Sequence, residues 1–290
     1  MFQVSSLVKR NVKIFLRDKT AVFFSFLSVI ILMGLYFLFL NNTYTNGLPE
    51  ELGSKKINFL ALSQMMGGVL VVNTITLSLG MMGNIVNDFY FKKTESFLVT
   101  PVKRSKIFIS YVISTLIITF TLSLFMWFLT IGYAYISTGY IYSFKVIINI
   151  SLLLLLYTGV STAIMLFIIG FIKSVNAFGT VSGIFGTLVG FVSGIYMPLA
   201  ILPKGVSYFS SLVPFTHMTI LMKQQILEKP LQLIENEIPI EGLTEIKQMY
   251  GVNEIGVLGI DVNMFLIFIG IIAVASTLFL ITIKKLSKNK

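Results

Sequence analysis

The chain contains no cysteine, which excludes disulfides, thiol catalysis and cysteine-ligated metal sites. Charge is scarce: 12% of the residues are Asp, Glu, Lys or Arg, against about 25% in an ordinary globular domain. Histidine occurs once, at His217, with no carboxylate near it in sequence. There is no G-x-x-x-x-G-K-[ST] loop to cradle a nucleotide and no H-E-x-x-H zinc pattern. No paired carboxylates lie within an apolar run, and no Asp, Glu, Lys or Arg lies deep within one. An ion-coupled carrier places such a group at membrane depth for its relay, so its absence argues against that class. Intramembrane proteases and lipid-modifying enzymes also need polar catalytic groups at depth, and none stands out. The chain is therefore expected to be no enzyme and to bind no metal or cofactor of its own.

What is abundant is apolar surface. Hydrophobic residues make up 56% of the 290, and the mean hydropathy is +0.89. A soluble fold could not hide that much, so the expected solvent is a bilayer. Crossing a hydrocarbon core takes about 20 apolar residues at 1.5 Å of helical rise each. Six runs qualify: residues 21–40, 57–87, 107–132, 146–172, 174–197 and 262–283. A spanning backbone must satisfy its own hydrogen bonds, so these are expected to be helices. The alternating pattern of a membrane β-barrel is absent. The predicted fold is an all-α integral membrane protein in one domain, residues 1–290. Residues 1–20 form an interface helix, 21–198 the first five spans, 199–261 an outer cap, 262–283 the sixth span and 284–290 a tail.

Basic residues orient the chain. Residues 1–20 hold Lys9, Arg10, Lys13, Arg17 and Lys19, and residues 88–106 hold Lys92, Lys93, Lys103, Arg104 and Lys106. Lys173 sits between the fourth and fifth runs, and the tail carries Lys284, Lys285, Lys288 and Lys290. These segments hold 15 basic residues and three acids (Asp18, Asp88, Glu95), while the remaining segments hold seven and nine. Lys and Arg concentrate on the cytoplasmic side, so both termini, the 88–106 loop and the Lys173 turn are expected there. The net charge of +10 fits anchoring beside anionic lipid, with no nucleic acid among the partners. Residues 206–222 could be counted as a seventh span, which would move the basic tail outside. Their Pro, His and three Ser favour a dip into the membrane or an interfacial helix pair on the outer side.

Three further patterns stand out. In the first segment, Val4, Leu7, Val8, Val12 and Phe15 share one helical arc opposite Lys9, Arg10, Lys13 and Arg17. This predicts an amphipathic helix in the cytoplasmic interface, either a plain anchor or a holder of a partner. In the fifth run, Gly179, Gly183, Gly186, Gly190 and Gly194 recur every three or four residues. Such a face lets helix backbones approach closely, within one subunit or between subunits. Asn73, Asn84 and the many Ser and Thr of the spans read as interhelical hydrogen-bonding groups.

The third pattern is FKKTESFLVTPVKRSKIFIS, residues 91–110. Lysines alone would serve as an anchor, but an apolar strip inside a charged loop asks for a protein surface. Thr94, Glu95 and Ser96 can start a short helix that Pro101 ends. Here the chain resembles the permease subunits of type-2 ABC exporters, which move drugs, antibiotic peptides and cell-surface polysaccharides. In TESFLVTPVKR, Glu95, Thr100 and Pro101 match that family's loop position by position, flanked by Lys93, Thr94, Phe97, Leu98, Lys103 and Arg104. The family often has Gly-Thr before the acid, whereas Lys93 precedes Thr94 here. Ser193, Gly194, Pro198, Pro203 and Pro214 match its stretch after the fifth span, an outer re-entrant segment.

The resemblance implies a separate ATPase chain that carries ATP and Mg. It implies two permeases, as a homodimer or a related heterodimer, working with two ATPases in a bacterial cell membrane. The loop around Glu95 would be the coupling helix that docks on the ATPase. The expected cargo is amphiphilic, peptide, drug-like or lipid-linked. The alternative within the same machinery is an antibiotic-resistance, immunity or sensing complex that moves little cargo.

Overall fold

The computed structural model describes residues 2–20, 22–23, 34, 52–98, 102–194, 203–252, 256–258, 260 and 262–288. Among these, regular structure is helical apart from one isolated bridge between Val257 and Ile260. The helices are α1 (Phe2–Arg17), α2 (Ser54–Tyr90), α3 (Glu95–Leu98), α4 (Arg104–Thr138) and α5 (Phe144–Ile169). They continue with α6 (Val175–Val192), α7 (Lys204–Ser211), α8 (Pro214–Gln232), α9 (Ile240–Met249) and α10 (Met264–Lys288).

Five of the described helices, α2, α4, α5, α6 and α10, are long and apolar enough to cross a membrane. They coincide with the second to sixth expected spans. The first, residues 21–40, lies almost wholly outside the described residues. At 37 residues α2 is about 55 Å long, well beyond a hydrocarbon core of about 30 Å, so it projects past the bilayer.

Burial ranks these helices. The most apolar stretch of α2 is 83% buried, against 22% for α10 and 11% for α6. α2 is the post on which α4, α5, α6 and α8 lean. Hydroxyls and an amide stitch the contact, where lipid would offer no drive to associate. Asn73 Nδ2 donates to Ser123 Oγ at 3.4 Å, Thr74 and Ser161 share a bond of 3.1 Å, and Ser78 and Thr162 one of 3.3 Å. The interhelical role expected of Asn73 is thus met, whereas Asn84 Nδ2 is buried without a partner among the described residues.

Local chemistry sets the helix ends. Ser143 Oγ accepts from Val146 N and Ser174 Oγ from Ala177 N, capping α5 and α6. Gly139, at φ 79°, closes α4 in the left-handed conformation that glycine adopts without strain. Residues 206–222 are not one continuous span. They are divided between α7 and α8, with Pro214 at the first position of α8, where its missing N–H costs nothing. α8 packs on α2 and α5.

The amphipathic helix expected at residues 1–20 is α1, and one side of it rests on α4. Gln3 accepts from Lys106 Nζ, Asn11 Nδ2 donates to Ser110 Oγ, and Phe15 packs against Ile118 and Met81. Each step along α1 is matched by a step along α4, so the two helices run side by side. The physical reason is Asn11, a polar residue in the middle of the arc and 1% exposed, which needs a hydrogen-bonding neighbour that lipid cannot supply.

Candidate functional site

Chemistry-bearing side chains gather at two places, one at each end of the bundle. The first is the end carrying the basic segments. Asp88 lies in the last turn of α2 and is 4% exposed. Its Oδ2 accepts from Arg10 Nη1 of α1 at 2.8 Å and from Tyr111 Oη of α4 at 2.5 Å. Arg10 Nη1 also donates to Asn11 Oδ1 at 2.9 Å. Three helices are thus tied through one carboxylate. The loop that follows is rooted in the same residue, because Thr94 N donates to the Asp88 carbonyl at 3.3 Å. Thr94 is buried, and Lys92 takes a positive φ of 56° to turn the chain beneath it. Glu95 then opens α3 and stands exposed to solvent.

The second place is the opposite end, where α8 meets the segment that carries α9, the expected cap. Lys223 of α8 is 2% exposed, although lysine is almost never fully buried without an acid. Among the described residues no carboxylate lies within ion-pair distance of it. Its Nζ donates to Gly194 O at 2.9 Å and to Tyr250 O at 3.2 Å. Burial pushes the amine down to about 7. Gln64 Nε2 of α2 shares the Tyr250 carbonyl at 2.9 Å. The cap is held further by Lys56 with Glu237 and by Gln224 Nε2 donating to Val252 O at 3.0 Å. His217 belongs to this end as well. Its Nε2 lies 2.8 Å from Ser211 O, and burial lowers its pKa.

The sequence matches the ABC-2 type transporter family over residues 2–227. The chain belongs to that family. No curated protein matches it. The match establishes an ABC transporter permease, a membrane-spanning transport subunit with no catalytic role of its own. It runs from α1 to Leu227 in α8, and so takes in both the Asp88 cluster and Lys223.

The residues expected to carry function in an ABC-2 permease fall as follows. In the loop expected to couple, Thr94 is buried and Glu95 exposed, and Phe97 and Leu98 lie in α3. Lys93 is exposed, with Nζ 5.6 Å from the centre of the Phe91 ring. Lys103 precedes α4 and Arg104 begins it. Thr100 and Pro101 lie outside the described residues, as does Pro198. Pro203 precedes α7, Pro214 starts α8, and Ser193 and Gly194 end α6, Gly194 at φ 70°.

Within the chain, the glycine face of α6 behaves differently from simple packing. A Cβ added at Gly179, Gly183 or Gly186 meets nothing within 4 Å, while Gly190 is buried. Two glycines of α2, by contrast, are closely approached by other helices. A Cβ at Gly83 would lie 2.5 Å from the Phe178 ring, and one at Gly67 would lie 2.9 Å from Lys223 Cγ.

Sequence reasoning missed Arg10, Asp88 and Tyr111 as a unit, and it missed Lys223. A signal existed for Lys223. The buried positions Phe215, Thr219, Met222, Ile226 and Leu227 form a helical stripe, and Lys223 falls on it.

Proposed function

We propose that this ABC-2 permease is the membrane half of an ATP-driven exporter and that α3 is the point at which a separate ATPase pushes on it. The observation that carries this reading is the rooting of the α3 loop. A four-residue helix with an exposed acid at its start is tied through Thr94 and Asp88 to α1, α2 and α4 at once. A charged loop that only anchored the chain to anionic lipid would gain nothing from Glu95. A loop that receives force needs a stiff base, and the Arg10–Asp88–Tyr111 cluster supplies one.

In this reading the basic end faces the cytoplasm, and ATP and Mg reside on the partner. Two permeases pair with two ATPases. The open glycine face of α6 is the seat offered to a second permease, since its small residues allow close helix approach. ATP-driven closure of the ATPases moves α3. The motion passes through Asp88 to the foot of α2, the most buried span, and so reaches every helix leaning on it. The cargo is an amphiphile: a peptide, a drug-like molecule or a lipid-linked chain.

The test is Glu95→Ala in the reconstituted complex, comparing assembled complexes, ATP hydrolysis and export with those of the wild type. Insertion of the chain is expected to be unchanged, and coupled hydrolysis to fall by roughly tenfold or more if the acid is one half of a charge pair desolvated on docking. Wild-type behaviour in all three would remove Glu95 from the joint, and failure of any ATPase to copurify would sink the exporter reading itself.

A further inference from the structure

Lys223 has no part in the coupling described above, and its surroundings give it a separate one. Its side chain is met by three other stretches of chain. Gly194 O belongs to the residue that ends α6, and Tyr250 O to the outer cap just after α9. The stem lies against α2, where only a glycine fits: a Cβ at position 67 would come within 2.9 Å of Lys223 Cγ and 3.2 Å of its Cα. Thr216, also on α8, donates its hydroxyl to Val192 O at 3.3 Å. α8 therefore caps the C-terminus of α6 with a hydroxyl and an amine, at the negative end of that helix's dipole.

A purely architectural role would be better filled by a methionine or leucine, because burying a cationic group without a carboxylate is costly. Two bonds from one amine to two backbone carbonyls do something an apolar side chain cannot. They break together when α8 moves, and both carbonyls and the amine can then be taken up by water. α6 is little buried elsewhere, so release of Lys223 leaves its end tied to α8 through Thr216 and removes the bond that joins it to the cap.

We propose that Lys223 is the latch of the cap end: opening of the transport path on that side proceeds by release of Lys223 Nζ from Gly194 O and Tyr250 O. The inference rests on the reading of the chain as a transport subunit, but its test needs neither ATP nor substrate.

The chain has no cysteine, so a single introduced one is a clean reporter. Thr219 is 1% exposed and one turn from Lys223 on the same face of α8, and its hydroxyl donates to Phe215 O within its own helix. In the purified full chain, Thr219→Cys is expected to react slowly with a membrane-impermeant maleimide. Adding Lys223→Met, which keeps the volume and removes the donors, should raise that rate roughly tenfold or more, the equivalent of two lost hydrogen bonds. Gly67→Ala, which pushes α8 off α2 without touching the amine, should act in the same direction. Ser114→Cys, 1% exposed on α4, should stay protected in both backgrounds. Unchanged labelling at Thr219 in both variants overturns the latch. Equal exposure of Thr219 and Ser114 also overturns it, because Lys223 would then hold the whole fold. If the latch behaves as expected but no ATP-driven export is found, the exporter reading fails and the latch stands.

Discussion

The two ends of the bundle each draw a basic side chain into the protein and hold it by different means. At the basic end Arg10 faces a carboxylate, and Asp88 Oδ2 takes a second bond from Tyr111. At the cap end, among the described residues, Lys223 faces neutral carbonyls and no carboxylate. A buried ion pair is expensive to separate, since either partner left alone keeps its desolvation penalty. A lysine on two carbonyls gives up only two ordinary hydrogen bonds on release and regains the hydration it lost. In the proposed mechanism one end stays together under load and the other lets go.

Breaking the firm end should have the largest effect. Asp88→Ala leaves Arg10 and Tyr111 without their shared acceptor. It should cost about 2–4 kcal/mol, less than a fully buried pair because the Arg10 side chain is 28% exposed. A double-mutant cycle on thermal stability with Arg10→Ala sharpens this: the second substitution should add little once the first is made, and strict additivity would mean that the pair is not coupled.

The next effect separates the two kinds of glycine. Gly83→Ala places a methyl group against the Phe178 ring and should destabilise by about 1–3 kcal/mol. Gly186→Ala meets open space and should leave the stability of a single chain unchanged. Gly186→Leu should instead weaken pairing of two permeases, as measured by cross-linking yield at matched expression. Equal stability losses for Gly83→Ala and Gly186→Ala would contradict this division.

A smaller and graded effect follows from pH at the cap end. Among the described residues, the groups that face Lys223 from other elements are Gln64, Gly67, Gly194, Tyr250 and Gly251. They include no carboxylate, and Tyr250 is the one other titratable side chain among them. Closed, the amine titrates at about 7. Open and hydrated, it returns to the ordinary lysine value of about 10.4. The open state therefore holds more protons between these values. The closed state is favoured in full above that range and loses ground as pH falls, by up to about tenfold per unit, until about 7, below which the dependence ends. Labelling of Thr219→Cys, normalised to the same reporter with Lys223→Met, should rise as pH is lowered from 9 to 7. A flat normalised profile would show that the amine keeps its proton state on opening.

Much of this architecture was legible before any coordinates. Five of the six expected spans could be compared, and each coincides with a described helix, because a run of about 20 apolar residues has few alternatives in a bilayer. Pro214 announced the break between α7 and α8, and Thr94 with Glu95 announced the start of α3. The firm end was less legible. Arg10 and Asp88 are 78 residues apart, and each looks like an ordinary member of a basic segment until the fold brings them together. Lys223 was passed over as a loop lysine, although its place on a buried stripe was visible in the spacing. The α6 glycines drew attention because they repeat, yet periodicity says that a face is small and not what comes to it. Gly67 and Gly83, which do receive side chains, repeat nothing.

The central claim is that force applied at α3 is carried by Asp88 to the cap end. It is tested most directly by labelling Thr219→Cys in the reconstituted permease–ATPase complex, with and without a non-hydrolysable ATP analogue, in the wild-type and Asp88→Asn backgrounds. The account predicts that the analogue speeds labelling in the wild type and leaves it unchanged in Asp88→Asn, with both complexes assembled to the same extent. Equal acceleration in the two backgrounds would contradict it.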